Sequence, residues 1–422
     1  MTDTCWYRSL FSRRMLICLF TGFSSGLPLY LLLNLLPAWL KSEGVDIKAI
    51  GLMALIQFPY TWKFVWSPLM DRFTVLPLGR RRGWMLLSQL FLLLAIGCMG
   101  LFNPAYSLWS IAALAFGVAF FSASQDIVLD AFRREILSDA ELGLGTALHV
   151  NAYRIAGLVP GALSLILADH LPWSQVFFIT ALFMLPGVML TLWVKEPQLC
   201  RPPATLRAAV VEPFHEFLTR KGWRYALLIL LFLFLYKLGD SMATALATPF
   251  YLDMGYSKSQ IGIIAKNAGL WASVVGGLLG GLWMLRLGIN RALWLFGLVQ
   301  VGSILGFVWL SGVGISGGHE ASLWALGLVI AFEALGVGLG TAAFTAFIAR
   351  ETDPRYTATQ FALFTSLSAV PRTVVNASTG YLVAWCGWQN FFWLCTLLAI
   401  PGMLLLMKVA PWGAEDENSK YQ

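Results

Sequence analysis

The sequence is poor in charge. Charged residues occupy only 12% of its 422 positions, whereas 58% are apolar and the mean hydropathy is +0.71. A soluble protein would carry about 25% charged residues, so most of this chain does not face water. A phosphate-cradling loop of the Gly-Lys-Ser type is missing, which argues against ATP as an energy source. No catalytic pattern stands out, so we expect no enzyme.

Cysteine is scarce and scattered. The six cysteines lie at positions 5, 18, 98, 200, 386 and 395, mostly in or beside apolar runs. No pair has the short spacing that metal ligands need. We therefore expect free buried thiols, no metal site and no bound cofactor.

The sequence is rich instead in long apolar runs. They show no period-2 alternation, so we predict membrane-spanning helices and not a barrel. The first run is too long for the core of a cleaved signal peptide. In a window of about 20 residues, the runs occupy 15–40, 49–69, 84–101, 108–131, 144–167, 175–194, 225–252, 260–284, 292–310, 323–348, 358–385 and 391–409.

A mixed-charge, proline-containing stretch at 195–221 divides these runs into six and six. The sequence therefore predicts an all-α membrane protein of the major facilitator fold, with twelve transmembrane helices in two six-helix bundles. The predicted bundles cover 1–194 and 222–410, joined by a cytoplasmic linker at 195–221. A cytoplasmic tail follows at 411–422.

The distribution of basic residues predicts the orientation. With the N-terminus inside, twenty-one basic residues fall on the cytoplasmic side and only Lys41, Lys48 and Lys258 fall outside. We therefore predict that both termini and the linker are cytoplasmic. The net charge of +7 has the same origin and does not indicate nucleic-acid binding.

The loop after the second predicted helix contains a charge cluster. It reads SPLMDRFTVLPLGRRRG, positions 67–83, similar to the facilitator loop pattern of Asp-Arg followed by glycine and a basic run. We predict a cytoplasmic latch whose charges pair with helix ends in one conformation and release in the other. The alternative is a topology signal, with the three consecutive arginines facing anionic lipid. The predicted latch residues are Asp71, Arg72, Arg80, Arg81, Arg82 and Asp130.

Nine ionisable residues remain inside the predicted helices. Each costs about 2.5 to 3.5 kcal/mol at mid-bilayer, so their number indicates a polar interior shared by both halves. Five positive against four negative charges favour an anionic substrate, or a carboxylate that is protonated during the cycle. The nine residues are Lys63, Arg154, Lys237, Lys266, Arg372, Asp126, Asp130, Asp240 and Glu333.

Asp126 and Asp130 are four residues apart, which places both acids on one face of a helix. Two close carboxylates disfavour joint ionisation. We predict that Asp126 couples to protons or contacts substrate, while Asp130 belongs to the latch with Arg72 or Arg133. The alternative pairs Asp126 permanently with Arg154 on the adjacent helix.

Two further acids are candidates for proton coupling. Asp240 is three residues from Lys237, close enough for the two to pair with each other. Glu333 stands alone before a glycine cluster, where helices can approach closely. The residues expected to touch substrate are Lys63, Tyr60, Gln125, Arg154, Lys237, Lys266, Asn267 and Arg372, and those also expected to face a cavity are Gln57, Asn151, Tyr153, Tyr236, Gln360 and Asn376.

Several strings resemble those of the AmpG-type muropeptide permeases of Gram-negative inner membranes. The resemblance implies proton-driven import of anhydro-muropeptides by a monomer, with the peptide carboxylates of the substrate binding to the basic residues. It also implies that Asp126, Asp130, Asp240 and Glu333 are the family's intramembrane acids. The strings are FTGFSSGLPLYL (20–31), KFVWSPLMDRF (63–73), GRRRGW (79–84), SASQDIVLDAFRREIL (122–137), YRIAG (153–157), LYKLGDSMA (235–243) and ATQFALFTSLSAVPR (358–372).

Two alternatives to a muropeptide importer stay open. Enterobacterial AmpG permeases carry an additional pair of helices after the twelfth, whereas this chain ends in PWGAEDENSKYQ. Short relatives of the YbtX type accompany siderophore biosynthesis, which implies a siderophore or its metal complex as cargo. A membrane sensor that no longer transports is the third hypothesis, but this chain keeps its buried charges.

Overall fold

The computed structural model describes residues 12–45, 53–196, 205–220, 222–256, 260, 264–317, 323–353, 355–375 and 378–413. Every regular element in these ranges is helical. A helix satisfies its backbone donors and acceptors within one segment, which is what a hydrocarbon environment requires.

The described part of the first half of the chain contains ten α-helices. Ser12 begins the first of them, and its hydroxyl accepts a hydrogen bond from the backbone N–H of Met15, as N-cap residues commonly do. π-Helical turns at Leu31–Leu35 and Val159–Leu163 interrupt two of the long segments. The helices are α1 Arg13–Tyr30, α2 Leu36–Ser42, α3 Phe58–Trp62, α4 Ser67–Arg72, α5 Arg80–Met99, α6 Pro104–Ile136, α7 Asp139–Ala156, α8 Ser164–Ala168, α9 Trp173–Leu182 and α10 Leu185–Trp193.

In the second half, the residues that the structure describes form eight α-helices. Two of the longest are interrupted at glycines with positive φ, Gly288 at 73° and Gly387 at 75°. Only glycine adopts this backbone conformation without strain, so each marks a change of direction. The helices are α11 Leu206–Arg220, α12 Trp223–Leu235, α13 Leu238–Ala245, α14 Ala247–Asp253, α15 Leu270–Gly317, α16 Leu323–Glu351, α17 Thr357–Val374 and α18 Thr379–Val409.

Nine helical segments among the described residues are long and apolar enough to cross a membrane. One of them, Asn267–Val313, contains the break at Gly288 and is long enough for two crossings. Two further helical stretches, 53–72 and 357–374, are not among these nine. They correspond to the predicted spans 49–69 and 358–385. The described helices are therefore consistent with the predicted count of twelve.

The second predicted span is not one continuous α-helix. Its described part, 53–72, consists of the 3₁₀ turns Met53–Gln57 and Lys63–Val65 alternating with α3 and α4. Pro59 and Pro68 lack the backbone N–H that an uninterrupted helix would use. The expected single helix is wrong here, and the second of the 3₁₀ turns begins at Lys63.

The described residues form two compact units. The first comprises Met1–Ser138, Leu148–Phe214 and Thr352–Ser366. Its core contains an aromatic cluster in which the rings of Trp39 and Phe177 meet edge to face at 4.9 Å. Such pairs add to the stabilisation from buried apolar area.

The second unit comprises Asp139–Ala147, His215–Glu351 and Leu367–Gln422. Phe250, Phe307 and Phe392 lie at the centre of its core. α15 and α16 approach so closely at Gly276 that an added methyl group would overlap the carbonyl oxygen of Leu335. The glycine cluster at 276–281 thus provides the close helix contact expected of small residues in membranes.

Candidate functional site

The acidic pair of the first unit lies on α6. The hydroxyl of Ser25, from α1, donates a hydrogen bond to Oδ1 of Asp126, whose side chain is half-buried. One residue earlier on each helix, Nε2 of Gln125 donates to Oγ of Ser24 at 3.1 Å. Two polar side chains of α1 therefore face two of α6 within the predicted membrane span.

Asp130 is held by two cations. Nη2 of Arg133 lies 2.8 Å from its Oδ1, and Nζ of Lys63 lies 4.0 Å from its Oδ2. Of the two predicted arginine partners of Asp130, the structure shows Arg133. The charges of Lys63 and Arg133 also act on Asp126. The acids and cations of the two helices thus form one cluster.

Several buried polar atoms of the first unit have no hydrogen-bond partner among the described residues. They include Oε1 of Gln125, the chain neighbour of Asp126, and both amide atoms of Asn151 on α7. Tyr60, predicted to face the cavity, lies near Ser122 and Asp126. Buried polar groups in native proteins are nearly always paired with protein or with water, so these atoms are candidates for binding water or a ligand.

In the second unit, Lys237 and Asp240 pair with each other as their spacing predicts. Nζ of Lys237 lies 3.6 Å from Oδ2 of Asp240 and 3.3 Å from Oγ1 of Thr341. Nε2 of Gln300 lies 3.5 Å from the same Oδ2, whereas Oδ1 of Asp240 is buried with no partner among the described residues. A cavity of about 10 Å³, lined by Tyr236, Asp240 and Gln300 among others, has room for about one water molecule.

The remaining predicted site residues are spread more widely. Glu333 is half-buried on α16 and interacts with Tyr251. Arg154 is half-buried on α7, and Asn267 is exposed in the π-helical turn Ala265–Gly269. Three further predicted positions, the side chains of Lys266 and Arg372 and the whole of Asn376, lie outside the described residues.

The latch residues form a buried ionic network in the first unit. Asp71 is fully buried, and Arg81 is 1% exposed. Nη2 of Arg81 lies 2.9 Å from Oδ1 of Asp71 and 2.6 Å from Oε1 of Glu135. Oδ2 of Asp71 accepts from the backbone N–H of Thr359 at 2.9 Å and from its hydroxyl at 2.7 Å. Arg81 therefore faces acids and not lipid, contrary to the topology-signal alternative.

The neighbouring arginines bind backbone carbonyls. Arg80 donates to the carbonyl oxygen of Asp71 at 2.8 Å, and Arg82 donates to those of Thr191 and Leu192 at 3.0 and 2.9 Å. Arg72 is half-buried, with its guanidinium 5.9 Å from the ring of Phe73. Only Arg81 of the predicted basic latch residues thus pairs with buried acids among the described contacts.

Sequence reasoning missed three partners of the latch. Glu135 and Thr359 lie in the quoted strings 122–137 and 358–372, which single them out only by resemblance. Glu196 accepts from the backbone N–H groups of Arg81 and Arg82 at 2.7 and 3.1 Å, at the N-terminus of α5. A carboxylate is stabilised there by unpaired N–H groups and the helix dipole.

The linker helix α11 is attached to the segment before α17. Tyr356 donates its hydroxyl hydrogen bond to Glu212, and Nε2 of Gln360 donates to the carbonyl oxygen of Pro213 at 3.0 Å. Oε1 of Gln360 accepts from the N–H of Asp353 at 2.7 Å. Gln360 was expected to face a cavity, and this placement is wrong because its buried amide binds the backbone of Pro213, in the linker, and of Asp353.

The family to which this architecture belongs is decided by comparison. Residues 18–376 match the model of the Major Facilitator Superfamily. The chain belongs to this superfamily. Membership confirms the predicted fold class and a multi-pass membrane transporter in place of an enzyme.

Curated relatives of this facilitator cover nearly all of it. An uncharacterised protein of Haemophilus influenzae is 55% identical, with 97% of each chain covered. The anhydromuropeptide permease of Escherichia coli K12 is 42% identical, covering 93% of this chain and 79% of the permease. The putative transporter AmpG 4 of Rickettsia felis is 34% identical, covering 92% and 94%. The AmpG-type resemblance is confirmed.

Solved facilitator structures share the fold. The human organic anion transporter MFSD10 superimposes with a TM-score of 0.72 at 16% identity, covering 93% of this chain and 99% of that one. A bacterial homologue of the iron transporter ferroportin, in an outward-facing state, gives 0.68 at 14% identity, covering 96% and 100%. At these identities the similarity concerns the fold alone.

Proposed function

We propose that this facilitator imports anhydro-muropeptides, the GlcNAc-anhydroMurNAc-peptides of cell-wall turnover, by proton-coupled alternating access. The observation that carries the proposal is its 42% identity, over 93% of its length, to an anhydromuropeptide permease. It would act as a monomer in the bacterial inner membrane, with both termini cytoplasmic, and the imported sugar peptides would enter cell-wall recycling.

The chemistry of such a substrate suits the charged residues. A muropeptide carries peptide carboxylates and sugar hydroxyls, which basic and amide side chains can bind. Arg154 and Lys237 are half-buried on predicted spans. Charged residues in such spans commonly mark a substrate pathway, and an anionic substrate would interact with these two cations in addition to the partners that they already have.

Proton coupling is assigned to Asp126. Its carboxylate accepts a hydrogen bond from Ser25 and lies near the charges of Lys63 and Asp130. Taking up a proton therefore changes the net charge of the whole cluster. The latch would release when the transporter changes conformation, because Asp71 and Arg81 are buried only while their partners stay in place.

Replacing Asp126 by Asn tests the coupling. Labelled anhydro-muropeptide is offered to right-side-out vesicles with an imposed pH gradient, inside alkaline. We expect wild-type protein to accumulate the label and a protonophore to abolish accumulation. Asp126→Asn should abolish gradient-driven accumulation, because an amide carries no exchangeable carboxyl proton.

Asp169→Asn is the matched control, because Asp169 is an exposed carboxylate at the end of α8 and its replacement should leave uptake unchanged. Full gradient-driven uptake by Asp126→Asn would exclude Asp126 as the coupling acid. A wild-type protein that takes up a ferric siderophore but no muropeptide would reject the proposed cargo while leaving a transporter.

A further inference from the structure

The Asp126–Asp130 cluster contains Lys63, which the sequence predicted to be a substrate ligand but which the structure places beside an acid. Lys63 is 8% exposed, and its ammonium group lies beside Asp130, one helical turn from Asp126 on the same face of α6. Its Nζ lies 4.0 Å from Oδ2 of Asp130, and its charge also acts on Asp126.

The backbone at Lys63 is irregular. The residue begins the 3₁₀ turn Lys63–Val65, between α3 and α4. A short 3₁₀ stretch within a longer helical segment often marks a hinge. Lys63 therefore lies at a possible hinge and not within a regular helix. We infer that its long side chain can approach either Asp126 or Asp130.

The neighbouring charges determine which acid Lys63 pairs with. Asp130 keeps a separate cation, because Arg133 lies 2.8 Å from its Oδ1. The described groups that face Asp126 are Ser25 from α1, Tyr60 and Lys63 from the second span, and Asp130 and Arg133 from its own helix. With all acids ionised, the charges of Lys63, Arg133, Asp126 and Asp130 sum to zero. A proton on Asp126 makes the sum +1.

We propose that Lys63 is the switching counter-ion of the coupling carboxylate and not a substrate ligand. Its ammonium pairs with Asp126 while that acid is ionised, and moves to Asp130 when Asp126 takes up a proton. The cluster is then one positive charge in excess, a state that favours an anionic solute. This inference rests on the proposed proton coupling and adds a second residue to it.

The first test measures thermal stability of the full-length protein in detergent and requires no substrate. Lys63→Met leaves Asp126 ionised without its cation at about pH 8, so we expect a lower Tm there. We expect a smaller loss at about pH 5, because a carboxyl in a water-poor site that has lost its cation takes up a proton more readily than an exposed one. Adding Asp126→Asn to Lys63→Met should restore most of the loss at the higher pH. Adding Asp130→Asn should restore less, because Asp130 still has Arg133 as its partner.

Lys41→Met, at the exposed end of α2, is the matched control and should leave Tm unchanged. A Tm loss in Lys63→Met that is equal at both pH values, or that is rescued by Asp130→Asn alone, would overturn the proposal. So would a Lys63→Met protein as stable as the Lys41→Met control.

The second test separates a counter-ion from a ligand by transport. Lys63→Met should keep substrate counterflow with a half-saturation concentration near that of wild type, and lose gradient-driven accumulation at least about tenfold. A tenfold rise in half-saturation concentration with accumulation intact would make Lys63 a ligand. If wild-type protein transports no muropeptide, the proposed cargo fails while the stability series still decides the role of Lys63.

Discussion

Asp71 uses both oxygens of one buried carboxylate. Oδ1 binds Arg81, and Oδ2 accepts two hydrogen bonds from Thr359. A buried charge without partners would be expensive, and removing one partner of such a pair costs about 3–5 kcal/mol. The hydroxyl of Thr359 is the partner that can be removed without changing the side-chain volume greatly.

We expect Thr359→Val to lower the free energy of unfolding by about 1.5–3 kcal/mol, the range for a hydrogen bond to a charged group. Chemical denaturation in detergent measures the change. Thr396→Val, on α18, is the matched control, because the hydroxyl of the buried Thr396 donates to the carbonyl oxygen of Phe392 one turn earlier, a local contact that contributes little. Equal effects of the two substitutions would contradict the role given to Thr359.

Local spacing predicted part of the site and no more. Lys237 pairs with Asp240 three residues away, and Asp130 with Arg133, because helix geometry alone brings such neighbours together. Ser25 and Gln300 were not predicted as partners, since they lie 101 and 60 residues from the acids that they contact. Their hydroxyl and amide groups are common in membrane helices and carry no signal of a partner.

At the scale of helices, hydropathy predicted where segments run but not how regular they are. The run 49–69 was expected to be one helix, and its described part is divided at Lys63. The number of apolar residues in a window indicates whether a segment lies in lipid. Whether its backbone is α-helical or 3₁₀ depends on prolines and on contacts with other parts of the chain. This division carries the inference about Lys63.

Gly276→Ala tests the close contact of α15 and α16. The added methyl group would overlap the carbonyl oxygen of Leu335, so we expect a loss of about 1–3 kcal/mol from overpacking. Gly302→Ala is the matched control, because it lies on the same helix with open space around it. Alanine is the better helix former, so the control should be neutral or slightly stabilising in thermal unfolding.

The attachment of the linker helix depends on a phenol that stays protonated. Burial, followed by the hydrogen bond to Glu212, raises the pKa of Tyr356 to about 12. The folded pKa thus lies above the ordinary value near 10. The contribution of this bond to stability is therefore complete below about pH 10 and is lost as the pH rises through about 12.

We expect Tyr356→Phe to expose the linker to proteolysis. Trypsin should cleave the basic sites of the linker faster than in wild type, with the same ratio at about pH 7 and at about pH 9, because the phenol is protonated at both. Tyr381→Phe, at an 83% exposed tyrosine, should leave the cleavage rate unchanged. Equal rates in the two variants would show that the hydrogen bond to Glu212 does not hold the linker.

At the scale of the whole molecule, charge asymmetry predicts the orientation. Twenty-one basic residues on one side against Lys41, Lys48 and Lys258 on the other is a strong bias toward cytoplasmic termini. In this predicted orientation, we expect the network around Asp71 and Arg81 on the cytoplasmic side and the loop after α2 on the opposite side. The proposed import depends on this orientation, because it sets the face from which a proton on Asp126 would have to come.

Reporter fusions test this orientation. Green fluorescent protein joined to the C-terminus should fluoresce, and alkaline phosphatase at the same point should be inactive, because the phosphatase folds only in an oxidising compartment. Alkaline phosphatase joined after Gly44, in the loop that follows α2, should be active. The opposite pattern at both sites would invert the molecule, and the coupling of inward proton flow to uptake through Asp126 would have to be reassigned to export.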